Sequence, residues 1–138
     1  MRESKPRVAF VCVHNSCRSQ IAEALGRAFH AETFDSYSAG TALKASINAD
    51  AVRLIGELYG IDMTKNQRPK LLEALPPVDI IITMGCGVEC PSLPCKHRED
   101  WLLEDPTGQG DKAFMAVISN IEGRLKDLAQ RLEGGLLL

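Results

Sequence analysis

The stretch RVAFVCVHNSCRSQIAEAL, residues 7–25, constrains the fold of this chain more than any other. Residues 7–13 are almost continuously apolar and rich in valine, the pattern of a strand buried on both faces. From Ser19 onward the period changes: Ile21, Leu25, Ala28 and Phe29 recur at helical spacing, with Gly26 the only weak helix former among them. A buried strand that passes through a short polar turn into an amphipathic helix is the opening unit of a parallel sheet.

The rest of the chain repeats that grammar. TFDSYSAG (33–40) reads as a second short strand ending at Gly40. INADAVRLIGELYG (47–60) reads as a helix with Val52, Ile55 and Tyr59 on one face, stopped by Gly60. A short helical stretch is expected around 70–75, then PPVDIIITM (76–84) as a buried strand. A cysteine-, glycine- and proline-rich loop follows over 85–96, and EDWLLED (99–105) is expected as the last strand. The final helix carries one apolar stripe of Phe114, Val117, Ile118, Ile121, Leu125, Leu128 and Leu132. The fold class is therefore α/β: an open parallel sheet of about four strands flanked by helices. At 138 residues the chain is one domain, 1–138, with 1–6 and 134–138 expected to fray.

Composition narrows the function. The net charge is −2, no Lys/Arg cluster is present and aromatics make up 5%, which argues against a nucleic-acid partner. The six-residue run VAFVCV is too short for a signal peptide or a membrane span, so a cytoplasmic protein without a membrane partner is expected. In that compartment five cysteines are reactive, metal-binding or core thiols rather than a disulfide framework.

Ligands of open α/β sheets sit at the carboxyl ends of the strands. Residues 13–19, residues 85–96 and Asp105 are thus expected at one edge of the molecule. Cys12 ends the first strand, and Val13, His14, Asn15, Ser16, Cys17, Arg18 and Ser19 lead into the helix, an arrangement that turns backbone N–H groups toward a tetrahedral oxyanion. Arg18 adds a bidentate guanidinium fork. The helix N-terminus and that cation together favour a thiolate at Cys12, a nucleophile that needs no histidine base. Ser19 Oγ is placed to hydrogen-bond the sulfur, and Asn15 tolerates the backbone angles such a loop requires. Cys17 reads as a structural thiol within the loop and His14 as a loop side chain. Asp105, before Pro106 at the same edge, is a candidate general acid; its plain alternative is a turn-capping aspartate.

CVHNSCRS (12–19), QIAEA, YSAG (37–40), IIITMGCGVECP and EDWLLEDPTGQG together resemble the low-molecular-weight tyrosine phosphatase-like family, and within it the arsenate reductases. The resemblance implies that fold, with a phosphate-binding loop between the first strand and first helix. It implies Cys12 as nucleophile, Arg18 as oxyanion ligand, Ser19 as thiolate stabiliser, Asn15 as loop brace and Asp105 as general acid. The expected substrate is arsenate, with phosphate or sulfate as mimics. The expected electron donor is a thiol partner such as thioredoxin or glutaredoxin with glutathione, and no cofactor or resident metal is expected.

Reduction rather than ester hydrolysis is favoured because DPTGQG carries no aromatic for an aryl substrate, and because the two electrons must come from thiols. Cys86 and Cys90 are the candidate resolving pair, with Cys95 a weaker third. The shorter, glycine-rich CGVEC differs from the acidic, longer loop of thioredoxin-coupled relatives. A potassium site known in some relatives is not carried over: KNQRPK stands where they place an aspartate, although Asn15, Glu23 and Ser38 remain. Three readings compete: a tyrosine phosphatase using the same Cys-x5-Arg loop, zinc on Cys86, Cys90, Cys95 and His97, and a phosphate-binding module without turnover.

Overall fold

A computed structural model of the chain describes residues 5–42, 44–85 and 94–138. Four strands, β1 (Arg7–Cys12), β2 (Asp35–Gly40), β3 (Ile80–Thr83) and β4 (His97–Asp100), form one sheet in the order β2-β1-β3-β4. Every pairing is parallel: Cys12 lies beside Gly40, Val11 beside Thr83, and Thr83 beside Asp100. Three helices, α1 (Arg18–Phe29), α2 (Ala49–Tyr59) and α3 (Asp111–Glu133), complete the α/β architecture. Among the described residues no helix is long and apolar enough to cross a membrane.

Strand alternation divides the core in two. Val8, Phe10 and Cys12 of β1 join Ile80 and Ile82 of β3 and the apolar stripes of all three helices in the main core. Ala9, Val11, Ala39 and Ile81 face the other way and pack with Leu72 in a smaller cluster. Gly26 lets α1 approach β2 closely, since a Cβ there would run into Ser36 Oγ and meet the Phe34 ring at 3.3 Å. Asn48 caps α2 by accepting a hydrogen bond from the Ala51 N–H at 3.1 Å, and Gly60 closes it in the left-handed conformation.

Several sequence expectations are corrected. Ala28 and Phe29 are exposed rather than buried; α1 outruns the sheet by its last turn, and Phe29 packs at a tilt against Tyr59 at the surface. The stretch 70–75 is only a single 3-10 turn, Leu72–Ala74, because Leu71 bridges to Gly40 as an extra edge partner. The last strand is His97–Asp100, not 99–105. It ends where Asp100 Oδ1 accepts from the Leu102 N–H at 2.8 Å and Leu102 turns to a φ of 52°, which breaks the extended backbone.

Cys95 moves furthest from expectation. Because β3 and β4 are parallel, the chain that leaves the carboxyl end of β3 must return to the other end of the sheet before β4 begins. His97 lies beside Ile80, and Lys96 and His97 both donate backbone N–H groups to the Asp79 carbonyl. Cys95 therefore packs against the smaller core at the amino ends of the strands, opposite the edge that carries Cys12. Cys86 and Cys90 lie outside the described residues.

Candidate active site

The site begins with a local feature, the turn from β1 into α1. Residues 13–17 belong to neither element, and α1 starts at Arg18 without a side-chain cap, so its first N–H groups remain for a ligand. Asn15, fully buried at a φ of 48°, makes the turn. Its amide orientation is fixed by its partners. The Lys70 backbone N–H and Gln20 Nε2, which can only donate, reach Asn15 Oδ1 at 2.8 and 3.1 Å. Nδ2 must then be the group that donates to Ser19 Oγ, at 2.9 Å.

That constraint passes to the sulfur. Ser19 Oγ spends a lone pair on Asn15, and its proton is free to point at Cys12 Sγ, 2.8 Å away. Cys12, Asn15 and Ser19 are all essentially buried, so the hydrogen bond operates away from bulk water.

Arg18 anchors the other wall. Its Nη1 donates to the carbonyls of Met84 at 2.9 Å and Leu103 at 2.8 Å, tying α1 to the end of β3 and to the segment after β4. Its Nη2 faces Asp105 Oδ2 at 4.0 Å. Asp105 Oδ1 accepts from the Thr107 N–H at 3.0 Å and from Thr107 Oγ1 at 2.7 Å. Partial burial works against ionisation of Asp105. The Thr107 bonds and the Arg18 and Lys44 charges outweigh it and hold the carboxyl below the ordinary aspartate value.

Between these walls lies a cavity of about 610 Å³, lined by Cys12, His14, Cys17, Arg18 and Asp105 among others. Asn15 and Ser19 brace it from behind. Val13 and Ser16 also line it, and His14 is tied outward, with Nδ1 at 2.8 Å from the Ala42 carbonyl oxygen. Cys17 is buried beside Asp105 and Cys12. Burial first, then those two negative neighbours, push its thiol up to about 12, so it stays protonated at neutral pH. Cys95 is not part of this site.

Sequence reasoning missed the residues that shape the loop from outside it. Gly40 is one: a Cβ there would lie 2.5 Å from the Val13 carbonyl oxygen and 2.9 Å from Asn15 N, both rigid backbone. Gln20 and Gln67 are others; Gln67 Nε2 donates to Gln20 Oε1 at 2.7 Å while Gln20 holds Asn15. Gly40 reads in the sequence as a strand end and as part of the YSAG resemblance, neither of which shows its contact with the loop, and nothing local marks the glutamine pair. Lys70 also reaches the buried Glu23 carboxylate at 3.4 Å, which Arg27 and Ser38 share.

Comparison with known proteins fits this geometry. The family model for low molecular weight phosphotyrosine protein phosphatase matches residues 7–135. An arsenate reductase of Bacillus cereus (strain Q1) is 34% identical over 133 residues, covering 93% of this chain and 97% of that protein. The chain belongs to this phosphatase family, among its arsenate reductases. A solved arsenate reductase in a phosphate-binding state superposes with a TM-score of 0.83 at 32% identity, covering 92% of this chain and 98% of that one. The thioredoxin-dependent arsenate reductase of Corynebacterium glutamicum superposes at 0.77 and 32% identity, covering 98% of this chain and 65% of that longer one.

Proposed function

We propose that this family member reduces arsenate to arsenite by attack of the Cys12 thiolate, followed by an internal thiol relay. The observation that carries the reading is the pairing of Cys12 Sγ with Ser19 Oγ at the base of a cavity that also holds Arg18 and Asp105. The cavity is walled by Leu102, Leu103 and Thr107 and has no Phe, Tyr or Trp among its described lining residues, which suits a small inorganic oxyanion better than an aryl ester.

In the first step arsenate lies over the loop N–H groups with the Arg18 fork on its oxygens. Cys12 Sγ bonds to arsenic, and one arsenic–oxygen bond breaks. Asp105 gives that departing oxygen its proton, which leaves as water. Asp105 is ionised in the free site, but a bound oxyanion beside it opposes that charge and raises its hold on a proton. In the second step a thiolate, assigned to Cys86, attacks the Cys12 sulfur. The sulfur–arsenic electron pair stays with arsenic, which departs as arsenite, and a Cys12–Cys86 disulfide remains. Cys90 then attacks Cys86 and frees Cys12, leaving a Cys86–Cys90 disulfide. A thiol donor, thioredoxin or glutaredoxin with glutathione, returns the two electrons. The link between the two halves is covalent: Gly85, the residue bonded to Cys86, itself lines the cavity.

Cys95 has no place in the relay, given its position at the far end of the sheet. Relay thiols need a reducing compartment, so we assign the protein to the cytoplasm. Weak hydrolysis of phosphate esters is expected as a side activity, since phosphate and arsenate share shape and charge.

Disulfide mapping after one turnover with arsenate tests the scheme, in wild type and in Cys86→Ser, Cys90→Ser and Cys95→Ser variants. Cys86→Ser should form no Cys12-linked disulfide, Cys90→Ser should trap Cys12–Cys86, and Cys95→Ser should behave as wild type. An aryl phosphatase efficiency far above that for arsenate would replace this reading with the phosphatase one.

A further inference from the structure

Lys44 is used by no step of the scheme above, yet it reaches the same cavity. It lies on the loop that joins β2 to α2. Thr41 and Ala42 both donate their backbone N–H groups to the Val13 carbonyl at 2.9 Å, and Asn48 donates to the Ser16 carbonyl at 2.7 Å. These bonds fasten the loop along the outer side of residues 13–16, so Lys44 enters the cavity wall from the solvent side.

The cavity's charges divide into two pairs, Arg18 with Lys44 and Glu104 with Asp105. Arg18 is buried at the base and half committed to the Met84 and Leu103 carbonyls. Lys44 is exposed and enters no ion pair among the described residues. An exposed ammonium at the mouth of a partly enclosed cavity attracts anions over a distance comparable to the Debye length, and does so less as salt rises.

We propose that Lys44 is a substrate-binding residue that recognises the negative charge of the oxyanion at the cavity mouth. The claim rests on the arsenate reductase reading only for its consequence, that the residue selects substrate over product. Arsenate at neutral pH carries one to two negative charges, while arsenite is an uncharged trihydroxide. Once arsenic has taken the electron pair, Lys44 has no charge left to hold, so its attraction belongs to the loading of the site and not to the retention of product. An interaction of this kind lowers KM and leaves kcat nearly unchanged.

The test uses the full-length reduced protein and inorganic phosphate as the probe. Phosphate protection of Cys12 against iodoacetamide gives an affinity without turnover. Lys44→Gln should weaken that affinity about five- to tenfold at low salt, with most of the difference gone near 0.3 M salt. Lys44→Arg should restore it. In steady state with arsenate, Lys44→Gln should raise KM in parallel with kcat held within about twofold. Inhibition by arsenite should not change. Equal phosphate affinity of wild type and Lys44→Gln at low salt would overturn the proposal. A shift in the pH profile of kcat with no change in phosphate affinity would also overturn it, by placing Lys44 with Asp105 instead. A wild-type protein that bound phosphate but did not reduce arsenate would sink the reductase reading and leave the phosphate comparison standing as the measure of Lys44.

Discussion

Cys12 Sγ and Ser19 Oγ lie 2.8 Å apart in a buried setting, and Asn15 Nδ2 occupies the acceptor side of that hydroxyl. The serine is thereby left with one role toward the sulfur, that of proton donor, which stabilises the thiolate relative to the thiol.

Replacing Ser19 by Ala removes that donor, and with it the acceptor of Asn15 Nδ2. A hydrogen bond to a charged group is worth roughly 1.5–3 kcal/mol, so the rate of Cys12 alkylation at neutral pH and the kcat for arsenate should each fall by about 10- to 100-fold. An unchanged alkylation rate in the variant would separate Ser19 from the nucleophile.

Asp105→Asn removes the proposed proton donor and one negative charge from the cavity. The kcat should drop by about 10²- to 10³-fold, and its decline at alkaline pH should disappear. Phosphate should bind at least as well as in wild type, because a carboxylate held ionised in the free site repels it. Loss of phosphate binding in the variant would assign Asp105 to loop architecture, through Arg18 and Thr107, rather than to proton transfer.

Cys17 should be inert. Its thiol is raised to about 12, so iodoacetamide at pH 7–8 should modify Cys12 and leave Cys17 unlabelled, as peptide mass mapping can show. Cys17→Ala should keep kcat within about threefold, since no step is routed through that sulfur, and cost about 1 kcal/mol of stability for the atoms lost from the core. Labelling of Cys17 at a rate comparable to Cys12 would contradict this.

Glu99 predicts a pH dependence of stability. Arg131 donates to both its oxygens at 2.9 Å, and Trp101 Nε1 adds a third donor at 2.7 Å. The Arg131 hydrogen bonds foremost, against partial burial, bring its carboxyl down from 4.5 to about 2. A depressed carboxylate stabilises the fold above its unfolded value and loses that contribution as pH falls toward its folded one. Glu99→Gln should therefore cost about 1–3 kcal/mol at pH 7, with the gap to wild type closing between about pH 4.5 and 2 in denaturant titrations. A gap that stayed constant across that window would refute the assignment.

Element identity was largely legible from the chain. Continuous apolar runs marked β1 and β3, and the stripe from Phe114 to Leu128 marked α3, because each pattern reflects burial of its own segment. The end of β4 was not legible. Trp101 and Leu103 are buried as a strand's residues would be, but they are buried by packing after the chain has turned at Leu102. Phe29 misled for the opposite reason: it keeps the helical period past the point where there is sheet left to cover it.

The sequence by itself determined the cradle around Cys12. The hydrogen bonds that Ser19 makes to Cys12 and Asn15 join residues seven and four positions apart, within one strand–turn–helix unit whose geometry follows from local preference. Only the tertiary structure decided what surrounds that cradle. It brought Asp105 to Arg18, Lys70 to Asn15 and Gly40 against the Val13 carbonyl, and it carried Cys95 to the far end of the sheet. These placements follow from the strand order β2-β1-β3-β4 and the parallel register of β3 with β4. A buried strand reads the same whichever neighbour it pairs with. The choice of neighbour therefore rests on packing between distant segments, which no local pattern records.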